Sequence, residues 1–301
     1  MKCNKNGVIL PKVLIATPVS QRHAHLLDEW LAHLDSLSYP DFDVLLIDTT
    51  PDTDEYFKLL QTKSVKGKLI NVIRHEWDYK KYHAVQWMAF AREKIREFFL
   101  KDDYDFLMSL DDDIFLPKWG IQRLLSYNKD QVGFYVHVYF EPDTKPCVLK
   151  SGEIVIGQGL QYFNWKEIDA YKNFVERMKF GALTENEQNL IPFIIKDPFF
   201  PQLFKPYATN LGCLMIKRKV LESVEFKTHE TFVMGEDLWY FLEADEKRFE
   251  SWCDSGTRCA HKNTEWGSIV QKGPKGVNPG FWLAMGPADA KQAEFVERKD
   301  G

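Results

Sequence analysis

Phe106-Leu-Met-Ser-Leu-Asp-Asp-Asp-Ile-Phe-Leu-Pro117, FLMSLDDDIFLP in one-letter code, joins a short apolar run to three adjacent carboxylates. Phe106 to Leu110 reads as a buried strand, too short for a helix and closed off by charge. Carboxylates set side by side repel one another and gain nothing from burial. Asp111, Asp112 and Asp113 at the end of such a strand therefore need a reason. Either they cap a helix in water, with Pro117 suited to its start, or something cationic stands in front of them.

Upstream, the same kind of strand recurs three times. Lys12 to Ala16 is an apolar run bounded by Pro11 and Thr17-Pro18; Asp43 to Asp48 is a second and Leu69 to Arg74 a third. Between them lie helical patterns. Leu26, Leu27, Trp30, Leu31, Leu34 and Leu37 recur at helical spacing in the segment from His23 to Leu37, a short helix is expected over 53–62, and a long one over 82–100. A further helix is expected over 118–127. Strands of five or six residues alternating with helices predict βαβ units, a mostly parallel sheet and a three-layer α/β/α sandwich. In such sheets ligands bind beyond the carboxyl ends of the strands. The loop from Thr17 to Ser20, the Asp48-Thr-Thr50 end and the acidic run are all expected there, facing one cleft.

The second half is less regular. Strands are expected at 131–140 and 211–216, a hairpin at 147–156 with its turn at Ser151-Gly152, and helices at 165–180 and 235–247. No Gly- or Ser-rich linker forces a boundary. A soft division near 140 separates a nucleotide-binding half, 1–140, from an acceptor half with a C-terminal arm, 141–301, within one continuous domain.

Composition narrows the partners. With 39 Lys plus Arg against 44 Asp plus Glu, the net charge is −5, which argues against nucleic acid as a partner because phosphate neutralisation needs clustered positive charge. No window of about 18 apolar residues occurs, so no membrane span is expected. The N-terminal MKCNKNGVILPK lacks the apolar core of a signal peptide. The five cysteines, Cys3, Cys147, Cys213, Cys253 and Cys259, are an odd number without zinc-knuckle spacing, and read as reduced thiols of a cytoplasmic protein.

Three constellations carry chemistry. Asp-x-Asp after a strand can hold magnesium or manganese through hard oxygen ligands, and in an extended end Asp111 and Asp113 share a side while Asp112 faces away. Glu236 and Asp237 open a helical face containing Leu238, Phe241 and Leu242. Acids there complement the helix dipole, or one of them is a general base for an incoming hydroxyl. His261 follows Asp254-Ser-Gly just beyond what reads as a final strand and turn; it is a surface or core histidine, or a third metal ligand.

In this order, the acidic run, Gly235-Glu-Asp237 and His261 resemble a GT-A glycosyltransferase, closest to the family 2-like group. The stretch Lys12 to Ser20, containing VLIATPVS, resembles the first strand and nucleotide loop of that fold, and Asn210 to Val220 the strand and basic turn before its Glu-Asp motif. The resemblance runs from about residue 12 to 262 and implies a Rossmann-like nucleotide-binding α/β fold with a small hairpin and helical acceptor-side part. It implies an enzyme of the hexosyltransferase class, moving a sugar from a UDP- or GDP-linked donor to a glycan or other hydroxyl acceptor with Mn2+ or Mg2+, with inversion. Thr17, Pro18, Asp48, Asp111 and Asp112 would then contact the donor, Asp111, Asp113 and His261 would hold the metal, Asp237 would be the base and Glu236 would orient the acceptor. The triple Asp leaves two registers open, Asp111/Asp113 and Asp112/Asp113. Departures are Asp-Thr-Thr-Pro-Asp at the second strand end, and Lys80-Lys-Tyr-His83 where an Arg-Asn pair is often seen. His23 and His25, near the first loop, could line the cleft, but without H-x-x-x-H spacing they read as surface residues. A non-catalytic nucleotide- or carbohydrate-binding protein on the same scaffold is the alternative. A nucleotidyltransferase fits less well, because the loop Thr17-Pro-Val-Ser-Gln-Arg22 has no glycine to wrap a phosphate.

Overall fold

A computed structural model describes residues 10–51, 53–76, 84–136, 203–205, 209–227 and 236–262. The chain forms two compact units, Met1–Val132 with Leu211–Glu250, and Gly133–Asn210 with Ser251–Gly301.

The first unit opens with β1 (Val13–Val19), whose first four residues are wholly buried. A strand covered on both faces needs apolar side chains at every position, not every second one, and VLIA supplies them. A single 3-10 turn (Gln21–His23) leads into α1 (Ala24–Ser36), then β2 (Phe42–Asp48) and α2 (Glu55–Gln61). A two-residue hairpin follows, β3 (Ser64–Val65) and β4 (Lys68–Leu69), before β5 (Asn71–Arg74), α3 (Ala84–Lys101), β6 (Phe106–Leu110), β7 (Ile114–Phe115) and α4 (Gly120–Ser126). After β8 (Gln131–Val136) and β9 (Leu203–Phe204), the chain adds β10 (Cys213–Lys217), α5 (Arg218–Leu221), α6 (Glu236–Glu246) and β11 (Ser251–His261).

The sheet of the first unit runs β5-β2-β1-β6-β10. Its first four strands are parallel, with Val13 opposite Phe42 and Phe106, and β10 closes antiparallel on β6 with Cys213 opposite Leu110. The chain therefore steps outward from β1 through β2 to β5, then crosses back past β1 to β6. Right-handed crossovers in opposite directions place α1 and α2 on one face and α3 on the other. The reversal falls between β1 and β6, so the carboxyl ends of those two strands form the switch point where ligands bind in open α/β sheets. Trp30 on α1 is fully buried, and its indole Nε1 donates to the carbonyl of Ile114 at 3.2 Å, tying α1 to the chain just past the acidic run. On the other side, Tyr240 of α6 stacks on Phe226 at 4.8 Å and donates its hydroxyl to Gln131 at 2.8 Å.

The mostly parallel α/β architecture expected from the sequence is present, with two local corrections. The third strand was expected to begin at Leu69, but Leu69 belongs to the hairpin and is 72% exposed. Lys66 and Gly67 both adopt positive φ, 51° and 73°, the pattern that turns a chain back on itself with two residues. The first strand was expected to end at Ala16, with Thr17 and Pro18 in a loop, yet it continues to Val19. Pairing to β6 stops at Ala16 while pairing to β2 goes on to Val19. The Val19 carbonyl accepts from Thr49 N on the β2 side, so alternation turns Pro18 toward the side where no ladder remains. Its missing N–H therefore costs no hydrogen bond.

In the second unit β11 pairs antiparallel with β9, Cys253 opposite Phe204. The hairpin expected at 147–156, the helix at 165–180 and the arm beyond 262 lie outside the described residues, as do Lys80 to His83. Among the described residues, no helix is long and apolar enough to cross a membrane.

Candidate active site

At the carboxyl end of β2, Asp48 is completely buried. Its Oδ1 accepts from the Thr50 amide at 2.9 Å, while Oδ2 is buried with no hydrogen-bond partner among the described residues. Thr49 donates both its amide and its hydroxyl to the Val19 carbonyl, each at 2.8 Å, and Thr50 Oγ1 accepts from the Gln21 amide at 2.9 Å. These bonds lock the end of β2 to the end of β1. Thr17 is fully buried and donates its hydroxyl to the Pro18 carbonyl at 3.1 Å, and both are strand residues.

The acidic run does not continue β6 in an extended line. Asp111 donates its amide to the Gly212 carbonyl at 2.9 Å, and the Ile114 amide returns to the Asp111 carbonyl at 3.0 Å, closing a turn. The alternation expected of an extended end therefore does not apply. Nor does the run cap α4: Trp119 occupies that cap and no side chain bonds there. Asp112 and Asp113 are instead buried, at 5% and 8% exposure. Burial raises the Asp112 pKa to about 6, against the opposing pull of His23 and with repulsion from Asp113 and Asp111 adding to it. His23 Nδ1 lies 3.1 Å from Asp112 Oδ1, and that bond raises the histidine's pKa despite its burial. His23, read from the sequence as a surface residue that could line the cleft, thus lies against the acidic run.

Asp111 is held by a group the sequence did not reveal. Arg92, near the middle of α3, is buried, with its guanidinium fanned over three partners. Nη2 donates to Asp111 Oδ1 at 3.0 Å, Nη1 to Ser109 Oγ at 2.9 Å and Nε to Glu236 Oε1 at 3.3 Å. Burial works against the charge, but Asp111 and then Glu236 outweigh it and raise the pKa, so the guanidinium stays charged. The same arrangement brings Glu236 and Asp237, the first residues of α6, into the unit that carries the acidic run. His261 is the last residue of β11, not a position beyond a turn; it lies in the second unit, and its side chain is outside the described set.

Gly212 permits the tight approach of Asp111. A Cβ at that position would come within 2.5 Å of Asp111 Oδ2 and 2.9 Å of Ile114 Cδ1. The carboxylate cannot retreat without loosening its bond to Arg92. Gly212→Ala is accordingly expected to cost about 1–3 kcal/mol through overpacking, read as a lower denaturation midpoint; an unchanged midpoint would show that the turn relaxes freely.

Among the described residues, no three His, Cys, Asp or Glu side chains are grouped to hold a metal ion. That does not conflict with magnesium or manganese, which bind through one or two carboxylates and complete their shell with water and substrate phosphate oxygens. The carboxylate oxygens at the end of β6 are the hard donors such an ion takes. Of the three, Asp111 is engaged by Arg92 and Asp112 by His23.

Comparison with solved structures places this architecture. GalNAc-T7, solved with UDP, GalNAc and Mn2+, superposes with a TM-score of 0.50 at 14% identity, over 86% of this chain and 44% of that one. The chain has a GT-A fold. It spans less than half the length of the GalNAc-T7 chain. Weaker likenesses are to residues 1–349 of S. aureus TarS, at a TM-score of 0.47 and 10% identity over 95% of this chain and 69% of that one, and to A197 from STIV, at 0.39 and 17% over 84% and 86%. No protein-family model matches the sequence, and no curated protein matches it.

Proposed function

We propose that this GT-A chain is a glycosyltransferase that moves a sugar from a nucleoside-diphosphate donor to a hydroxyl acceptor, with a divalent cation. The carrying observation is the position of the acidic run: a turn with two buried aspartates, at the carboxyl end of β6 and beside the switch point of the sheet. Burying like charges in this way costs free energy that a cation offsets. The GT-A structure of GalNAc-T7 with UDP and Mn2+ supports the same reading.

In this reading Asp48 accepts an N–H or O–H of the nucleoside on its unused Oδ2, and Asp113 holds the cation with the donor's diphosphate. The ion, when bound, neutralises the charge that builds on the diphosphate as it leaves. Asp237 takes the proton from the acceptor hydroxyl as its oxygen bonds to the anomeric carbon and the bond from that carbon to the diphosphate breaks, with inversion. Glu236 orients the acceptor from the same helix turn.

Calorimetric titration of the protein with UDP and with GDP, with and without Mn2+, tests this. One of the two is expected to bind more tightly with the metal, and to raise the melting midpoint by mass action. Neither nucleotide binding in either condition would remove the proposal.

A further inference from the structure

Arg92 has no part in the reaction just described, yet it is the most heavily engaged buried charge beside the acidic run. Its side chain is 4% exposed, against 35% for Asp111 and 14% for Glu236. Ser109 Oγ, which accepts from Nη1, donates its own hydroxyl to the Leu211 carbonyl at 2.5 Å. The guanidinium is thereby linked to β6, to the segment entering β10 and to α6 at once. One positive charge faces two negative ones, so the cluster keeps a net charge of −1. We infer that Arg92 is a positioning residue: a resident side-chain cation that binds Asp111 to Glu236 and keeps Asp111 from the metal.

The chemistry follows from what each cation demands. A guanidinium presents planar, directional N–H donors and satisfies two carboxylates from one fixed plane. A divalent ion draws oxygens into its own coordination shell and would pull Asp111 out of line with Glu236. With Arg92 in place, the first residue of the run and the first residue of α6 are held in a constant relation through a single side chain. The residue following Glu236 is Asp237, so the proposed base is set by the same contact. This inference rests on the glycosyl-transfer reading for its consequence in turnover, and on geometry alone for its effect on metal affinity.

The test is therefore run in two arms, using Arg92→Gln and Arg92→Lys. In the first arm Mn2+ alone, without nucleotide, is titrated while the melting midpoint is followed. Arg92→Gln leaves two half-buried carboxylates without their cation, so its midpoint is expected to start lower and to climb with Mn2+ more than the parent's. Its Mn2+ affinity is expected to tighten roughly tenfold, because an uncompensated charge pair attracts the ion. Arg92→Lys keeps the charge and is expected to stay close to the parent. A merely structural arginine would lower the midpoint in both variants and leave Mn2+ affinity equal or weaker, which would overturn the inference.

If Arg92→Gln does not fold, Arg92→Gln with Glu236→Gln removes one charge of each sign and leaves Asp111 free. Mn2+ binding tighter than the parent's is again the expected result, and binding no tighter the refuting one. The second arm follows turnover of the donor by Arg92→Lys, expected to fall by about tenfold or more as the lysine's single head cannot hold both acids in line, with donor KM changed little. Failure of the first arm sinks the resident-cation role whatever the enzyme does. Failure of the parent protein to bind nucleotide sinks the transferase reading and leaves the first arm standing.

Discussion

Asp237→Asn is expected to bind nucleotide as tightly as the parent and to turn over at least ~10²-fold more slowly, the usual contribution of a positioned general base. The amide matches the carboxylate in shape but cannot take a proton from the acceptor. Two carboxylates stand at this helix start, and the structure separates them. Glu236 receives Arg92 Nε at 3.3 Å, and its charge is committed to that contact. Asp237 is the next residue and is half-buried, while the three partners of Arg92 are Ser109, Asp111 and Glu236. Loss of one acid from the first turn removes about 0.3–1 kcal/mol of dipole stabilisation, too little to unfold the helix. Initial rates of donor hydrolysis measure the effect without the natural acceptor. Turnover equal to the parent's would exclude Asp237 from the chemistry.

Asp113→Ala is expected to abolish the metal-dependent part of nucleotide binding and to leave any metal-free affinity in place. A hard cation needs charged oxygens, and the two neighbouring aspartates are poorly placed to substitute. Asp111 would have to leave Arg92, and Asp112 would have to leave His23. Calorimetric titration of nucleotide with and without Mn2+ separates the two terms. Persistence of the Mn2+-dependent gain in the variant would move the ion elsewhere in the run.

Much of the scaffold could be read from the chain. VLIA, DVLLID and FLMSL are apolar at nearly every position, which only a strand covered on both faces requires, and the helical spacing of Leu26, Leu27, Trp30, Leu31 and Leu34 matches the side chains that α1 buries. Failures came where a pattern has two physical solutions. Lys66-Gly67 reads as an ordinary polar link until both residues take positive φ and fold a hairpin. Thr17-Pro18 reads as a strand terminator because proline cannot donate, but it sits where no donor is wanted.

The acidic run was legible as a site and its geometry was not. Counting alternate residues along an extended strand pairs Asp111 with Asp113, whereas the chain turns at Asp111 and sends Asp112 to His23, 89 positions earlier. Arg92 carried no mark at all. It stands among Glu93, Lys94 and Arg96 on a charged helix, and nothing local separates a guanidinium reaching inward from one in water. Periodicity is a property of neighbours in the chain, so it reports strands, helices and the order in which they alternate. Partnership between charges 19 and 144 residues apart, as for Arg92 with Asp111 and Glu236, depends on which strand ends and helices the folded sheet brings together, and no local pattern encodes that.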